Sequence, residues 1–196
     1  MMTDIKIGCV VLAAGRGARF AGGNKLLMPL NSKPVAAHIL EALPRRLFAV
    51  CTAVAKDEDV RRLCEVHRFP CIVYAGGLLS DSLRTGLDVC GNGVDGCLFV
   101  NADRPFLTAY SIERMVEAFR RTPNCVIRLA YEGEPSNPIL FPKTAFEALR
   151  ALVGDKGGAA ILKTGKYDVK YVEAQSAREL IDIDDADTLI RVSAYR

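Results

Sequence analysis

Residues Val10–Leu30 read VVLAAGRGARFAGGNKLLMPL. An apolar run opens into a glycine-rich loop carrying Arg16, Arg19 and Lys25, then turns apolar again. The run begins earlier, and Ile7 to Ala14 has the unbroken apolar character of a strand buried on both faces. In an open parallel sheet, ligands lie outside the carboxyl ends of the strands, which is where this loop leaves. Glycines there let backbone N–H groups approach anionic oxygens with no Cβ in the way. Arg19 offers a planar fork of donors and Lys25 a point charge, a set suited to a triphosphate. Two familiar loops are excluded. A dinucleotide fingerprint needs a third glycine where Phe20 stands, and a P-loop lysine needs Ser or Thr after it where Leu26 stands. A glycine-rich surface loop with solvated charges is the alternative on pattern alone.

Outward from this loop the chain alternates strands and helices. Helices are expected at Pro34–Leu43, Asp57–His67 and Ser80–Val89, the last with Ser80 or Asp81 as N-cap. Another is expected at Ala109–Arg121, with Thr108 as its N-cap. Strands are expected at Leu47–Ala53, Cys71–Ala75, Gly96–Val100 and Cys125–Tyr131. This spacing implies right-handed crossovers and a mainly parallel, three-layer α/β sheet. After about residue 130 the pattern loosens. Pro138–Phe141, a helix at Thr144–Val153, a strand near Tyr167–Val172 and a last helix from Asp184 or Asp185 follow at uneven spacing. One domain is expected over 1–196.

The composition fits a globular protein: 196 residues, 50% hydrophobic and 25% charged. A net charge of +3, spread along the chain, gives no basis for a nucleic-acid or membrane partner. Seven cysteines without a C-x-x-C pair read as small buried hydrophobes in a reducing compartment. The first apolar run is too short for a span and lacks a signal peptide's layout, so the expected location is the cytoplasm. His38 reads as a packing or surface residue, and Arg45-Arg46 as solvated.

The second anchor is NADRPFLT, Asn101 to Thr108. Asp103 falls just past a buried strand, where a carboxylate can hold Mg²⁺ against phosphate oxygens. Capping a turn before Pro105 is the other reading of Asp103. Its place on the same sheet edge as the glycine loop favours the metal.

LAAGRGAR, NKLLMPLNSKP, GGLLSDSLRTGL, NADRPFLT, NPILFPKTAFEALRAL, GDKGGAAIL and DIDDADTL follow one another in the order of the MobA-like nucleotidyltransferases. The chain resembles that family from about residue 8 to 190, and within it looks most like molybdenum cofactor cytidylyltransferases. The resemblance implies a Rossmann-like nucleotidyltransferase fold with a mainly parallel, mixed central sheet. It implies transfer of a nucleoside monophosphate from an NTP to a phosphorylated acceptor, with release of pyrophosphate. It divides the chain into about 1–105 for the nucleotide and about 106–196 for the acceptor. It places Leu12, Ala13, Ala14, Gly15 and Gly17 at the nucleotide and Arg19 and Lys25 on its phosphates. Gly76, Gly77 and Ser82 match the segment lining the base pocket, Asp103 the acid that binds Mg²⁺, and Asp184 a second candidate metal contact. A helix N-cap is the other reading of Asp184. Ala14, where guanylyl relatives usually carry glycine, points to CTP. Several positions depart from the family pattern: Phe20-Ala21, Asn101-Ala102, Arg104, the residues before Pro138, and Ala160. The last two lie in the acceptor half and loosen that part of the match.

The implied chemistry is attack of an acceptor phosphate oxygen on the α-phosphorus of CTP, with Arg19, Lys25 and Asp103 as the catalytic set. An ionised phosphate needs no general base, which suits a motif set without histidine. Molybdopterin is the expected acceptor, and a molybdenum hydroxylase apoenzyme a partner for delivery. Open alternatives are a GTP-using relative, a sugar-phosphate or methylerythritol-phosphate acceptor, and a non-catalytic accessory protein.

Overall fold

A computed structural model describes residues 5–15, 23–74, 76, 78–90 and 93–194. Arg19, Gly17 and Gly77 lie outside these residues. Strand β1 (Ile7–Ala13) is the buried run of the opening stretch. It leads to a 3₁₀ turn at Lys25–Leu27, then a two-strand ribbon, β2 (Pro29–Leu30) and β3 (Lys33–Pro34), and helix α1 (Val35–Ala42). Then come β4 (Val50–Ala55), α2 (Glu58–Val66), β5 (Cys71–Val73) and α3 (Leu79–Cys90). Strand β6 (Gly96–Asn101) is followed by α4 (Ala109–Arg121). Next are β7 (Val126–Tyr131), β8 (Glu134–Pro142), α5 (Phe146–Arg150) and α6 (Ala159–Leu162). Strand β9 (Val169–Glu173), a 3₁₀ turn at Ala177–Leu180 and α7 (Ala186–Ser193) follow.

Seven strands form one sheet in the order β5-β4-β1-β6-β8-β7-β9. Only β8 runs antiparallel to its neighbours β6 and β7; the other pairs are parallel. The expected mainly parallel, three-layer α/β architecture is therefore present. Alternation along β1 divides the layers. Cys9, Val11 and Ala13 pack with α1, α2 and α4, whereas Val10 and Ala14 pack with α3, α5 and α6. Gly86 allows α3 to lie this close to the sheet, because a Cβ there would sit 2.3 Å from Val10 Cγ1.

Several boundaries differ from the sequence expectation. The second strand starts at Val50 rather than Leu47, because Arg45–Leu47 form a 3₁₀ turn. Helix α3 begins at Leu79, so neither Ser80 nor Asp81 is its N-cap. The Thr144–Val153 helix splits into a 3₁₀ turn at Lys143–Ala145 and the short α5. Thr108 caps α4 as expected, its Oγ1 accepting from the Ser111 N–H at 3.2 Å.

Candidate active site

The carboxyl ends of β1 and β6 and the start of α3 border an open cleft of about 660 Å³. Leu12, Ala14, Gly15, Lys25, Ser82, Asp103 and Asp184 all line it. Ala13, on the other face of β1, is buried in the opposite core layer. Gly76 sits against Tyr74, where any Cβ would fall 2.2 Å from the ring. Leu26, Leu79, Asn101 and Asp155 also line the cleft and were not singled out by sequence. Asn101 had a readable signal, since it ends an apolar run two residues before Asp103; the structure sets it beside Leu12.

Lys25 reaches the cleft through local anchoring. The Leu26 N–H donates to Asn24 Oδ1 at 3.0 Å, and Asn24 Nδ2 donates to Asp57 Oδ2 at 2.6 Å. Asp57 is itself the N-cap of α2, accepting from the Val60 N–H at 3.0 Å. The 3₁₀ turn is thus fastened to a helix, and Lys25 emerges from it only 6% exposed. Its Nζ donates to Asp103 Oδ2 at 2.7 Å and to Asp184 Oδ1 at 2.9 Å. Burial opposes the ammonium charge, but the charges and hydrogen bonds of Asp103 and Asp184 outweigh it and hold Lys25 above the usual lysine value.

The C-terminal acids divide their work. Asp185 caps α7, accepting from the Thr188 N–H at 2.7 Å. Asp184, beside it, faces Lys25 instead. Asp182 is pushed up by burial; the Arg104 charge opposes the rise and Asp103 and Asp184 add to it. Against Lys25, Asp103 Oδ1 is buried with no hydrogen-bond partner among the described residues. A buried carboxylate oxygen in that state suits a cation as its partner. One ammonium touches both Asp103 and Asp184, so the two carboxylates converge on one point in the cleft. The donor set is all oxygen, the kind that hard cations prefer.

The MobA-like NTP transferase domain profile matches residues 9–173. The chain belongs to that family. It is a nucleotidyltransferase of the Rossmann-like fold. This MobA-like chain is 27% identical to 2-C-methyl-D-erythritol 4-phosphate cytidylyltransferase of Streptomyces avermitilis, over 78% of its own length and 69% of the relative. It is 28% identical to purine catabolism protein PucB of Bacillus subtilis (89% and 90% covered). It is 23% identical to molybdenum cofactor guanylyltransferase of Vibrio campbellii (88% and 87%). Rv0371c of Mycobacterium tuberculosis H37Rv superposes with a TM-score of 0.82 at 25% identity, covering 97% of this chain and 98% of that one. A further structure of Rv0371C is a complex with manganese (TM-score 0.80, 22% identity, 97% and 100% covered). The family match ends at residue 173; beyond it, Asp184 lines the cleft and Asp182 pairs with Arg104.

Proposed function

We propose that the chain moves CMP from CTP onto a phosphorylated acceptor, with molybdopterin the acceptor the sequence favours, and releases pyrophosphate. The observation that carries this is Lys25 held between Asp103 and Asp184 at the mouth of β1 and β6. An acceptor phosphate oxygen bonds to the α-phosphorus, the bond from α-phosphorus to the bridging oxygen breaks, and pyrophosphate takes the electron pair. The acceptor enters ionised, so proton removal is not required. Lys25 binds and orients the phosphates as a fixed cation, together with Arg19. Leu12, Ala14, Gly15 and Gly17 edge the nucleotide, with Gly76, Gly77 and Ser82 toward the base. Ala13 contributes through its backbone, since its side chain is buried away from the cleft. Asp103, with Asp184 beside it, is where Mg²⁺ would be held, and the manganese complex of the structural relative supports a divalent ion. Bound there, the metal supplies charge neutralisation at the reacting phosphates. The protein's own share is positioning in a cleft of fixed dipoles.

The cytidylyl relative favours a second reading with the same nucleotide and methylerythritol phosphate as acceptor. Incubation with CTP or GTP, a divalent ion and either acceptor, following pyrophosphate, decides between them. Release with CTP and molybdopterin only is the expected result. Release with GTP alone overturns the nucleotide assignment, and absence of release with any pair overturns turnover itself.

A further inference from the structure

Beside the cleft lies a second charged cluster that the sequence motifs left unused. Arg104 follows Asp103 in the chain and is 4% exposed. Its Nη1 donates to Ser136 Oγ at 2.7 Å and to the Asn137 carbonyl at 3.1 Å. Its Nη2 donates to Asp182 Oδ2 at 2.8 Å. Nε lies 2.6 Å from Asp182 Oδ1, in charge contact but out of line, so neither atom has a hydrogen-bond partner among the described residues. One guanidinium therefore joins the loop after β6, strand β8 and the acidic stretch before α7.

We infer that Arg104 is a positioning residue: by clamping Asp182 it sets the separation of Asp103 and Asp184, and with it the site's affinity for a divalent cation. This rests on the reading of that carboxylate pair as the metal site. Asp184 holds little ground of its own. Its side chain is 56% exposed and its recorded contact is Lys25 Nζ. Its position is inherited from its neighbours, Asp185 after it capping α7 and the two residues before it. Ile183 donates its N–H to the Asp103 carbonyl at 3.0 Å and is buried with Leu30, Val35 and Val192. Asp182 is held by Arg104. Three carboxylates, Asp103, Asp182 and Asp184, would otherwise repel one another across this corner, and Arg104 offsets that repulsion from within the protein. A planar fork can hold Asp182 and β8 at once, which a lysine ammonium cannot reproduce.

The test is Mn²⁺ binding without turnover, read from the free-ion electron paramagnetic resonance signal for the parent, Arg104→Lys and Arg104→Gln. Both variants are expected to weaken Mn²⁺ binding about tenfold or more, the scale seen when outer partners of metal ligands are removed. The metal concentration for half-maximal activity should rise by the same factor, while the KM for CTP at saturating metal stays within about twofold. Saturating Mn²⁺ should restore most of kcat. If the single variants fail to fold, Arg104→Met with Asp182→Leu replaces the pair by apolar groups of similar bulk. The folded double variant should show the same loss of Mn²⁺ affinity. Parent-like Mn²⁺ binding in a folded variant overturns the positioning role but leaves the metal site standing. No Mn²⁺ binding by the parent overturns both.

Discussion

Two charged clusters lie side by side at the cleft, and their balance differs. Among the described residues, Lys25 is one cation between two carboxylates, leaving an excess negative charge and a buried, unpartnered Asp103 Oδ1. Arg104 faces one carboxylate and two neutral acceptors, so its charge is matched. The first cluster borders open space, whereas the Arg104 side chain is 5% exposed. An unbalanced, partly open set is receptive to another cation. A balanced, closed one fixes geometry, because a buried pair is costly to break and adds little when intact. On the proposed reading, the same residue types serve chemistry in one place and shape in its neighbour.

Removing the centre of the unbalanced cluster should have the largest effect. Asp103→Ala is expected to lower turnover at least ~100-fold, the scale of a single electrostatic catalytic group, with helix and sheet content by circular dichroism unchanged. Near-normal turnover would sink the metal assignment. Asp184→Asn should cost less, about tenfold, with a matching rise in the metal needed for half-maximal rate. Its half-exposed side chain can be replaced in part by water. A loss equal to that of Asp103→Ala would make the two carboxylates equivalent and erase this ranking.

The contrast also explains what the sequence made legible. Strand β1 was readable because a continuous apolar run has one common use, and α4 because Thr108 announces its start. Lys25 and Asp103 were readable because each sits just past such a landmark. Strand β8 was hard to see whole: Pro135, Pro138 and Pro142 lie in it, and proline ordinarily argues against a central strand. The β2–β3 ribbon is two residues a side, too short for a period-two pattern to register. Asp184 and Asp185 are chemically alike neighbours, and only tertiary packing sends one to Lys25 and the other to cap α7. Arg104 looked like a departure from pattern, since its partners Ser136 and Asp182 are distant in the chain.

Within the balanced cluster, loss of one neutral partner should be mild. Ser136→Ala is expected to lower unfolding free energy by about 1 kcal/mol, the usual net worth of one hydrogen bond. Nη1 keeps the Asn137 carbonyl at 3.1 Å. Urea denaturation measures this, and a loss of several kcal/mol would mean that Ser136, not the charge pair, holds the clamp together.

The smallest effect is a pH dependence confined to the unbalanced cluster. Lys25 is held above the ordinary lysine value by Asp103 and Asp184. Its charge therefore stabilises the fold fully below the unfolded lysine value of about 10.4. That contribution fades as pH rises through the higher folded value. Lys25→Met lacks it at every pH. The difference in urea midpoint between parent and variant should be level from pH 7 to 9 and shrink above about pH 10.4. Comparing the two proteins at each pH cancels the tyrosines and other lysines that titrate in the same range. A difference that stays level through that range would mean Lys25 gains nothing from its carboxylates in the fold. The two clusters would then differ in exposure but not in electrostatic strength.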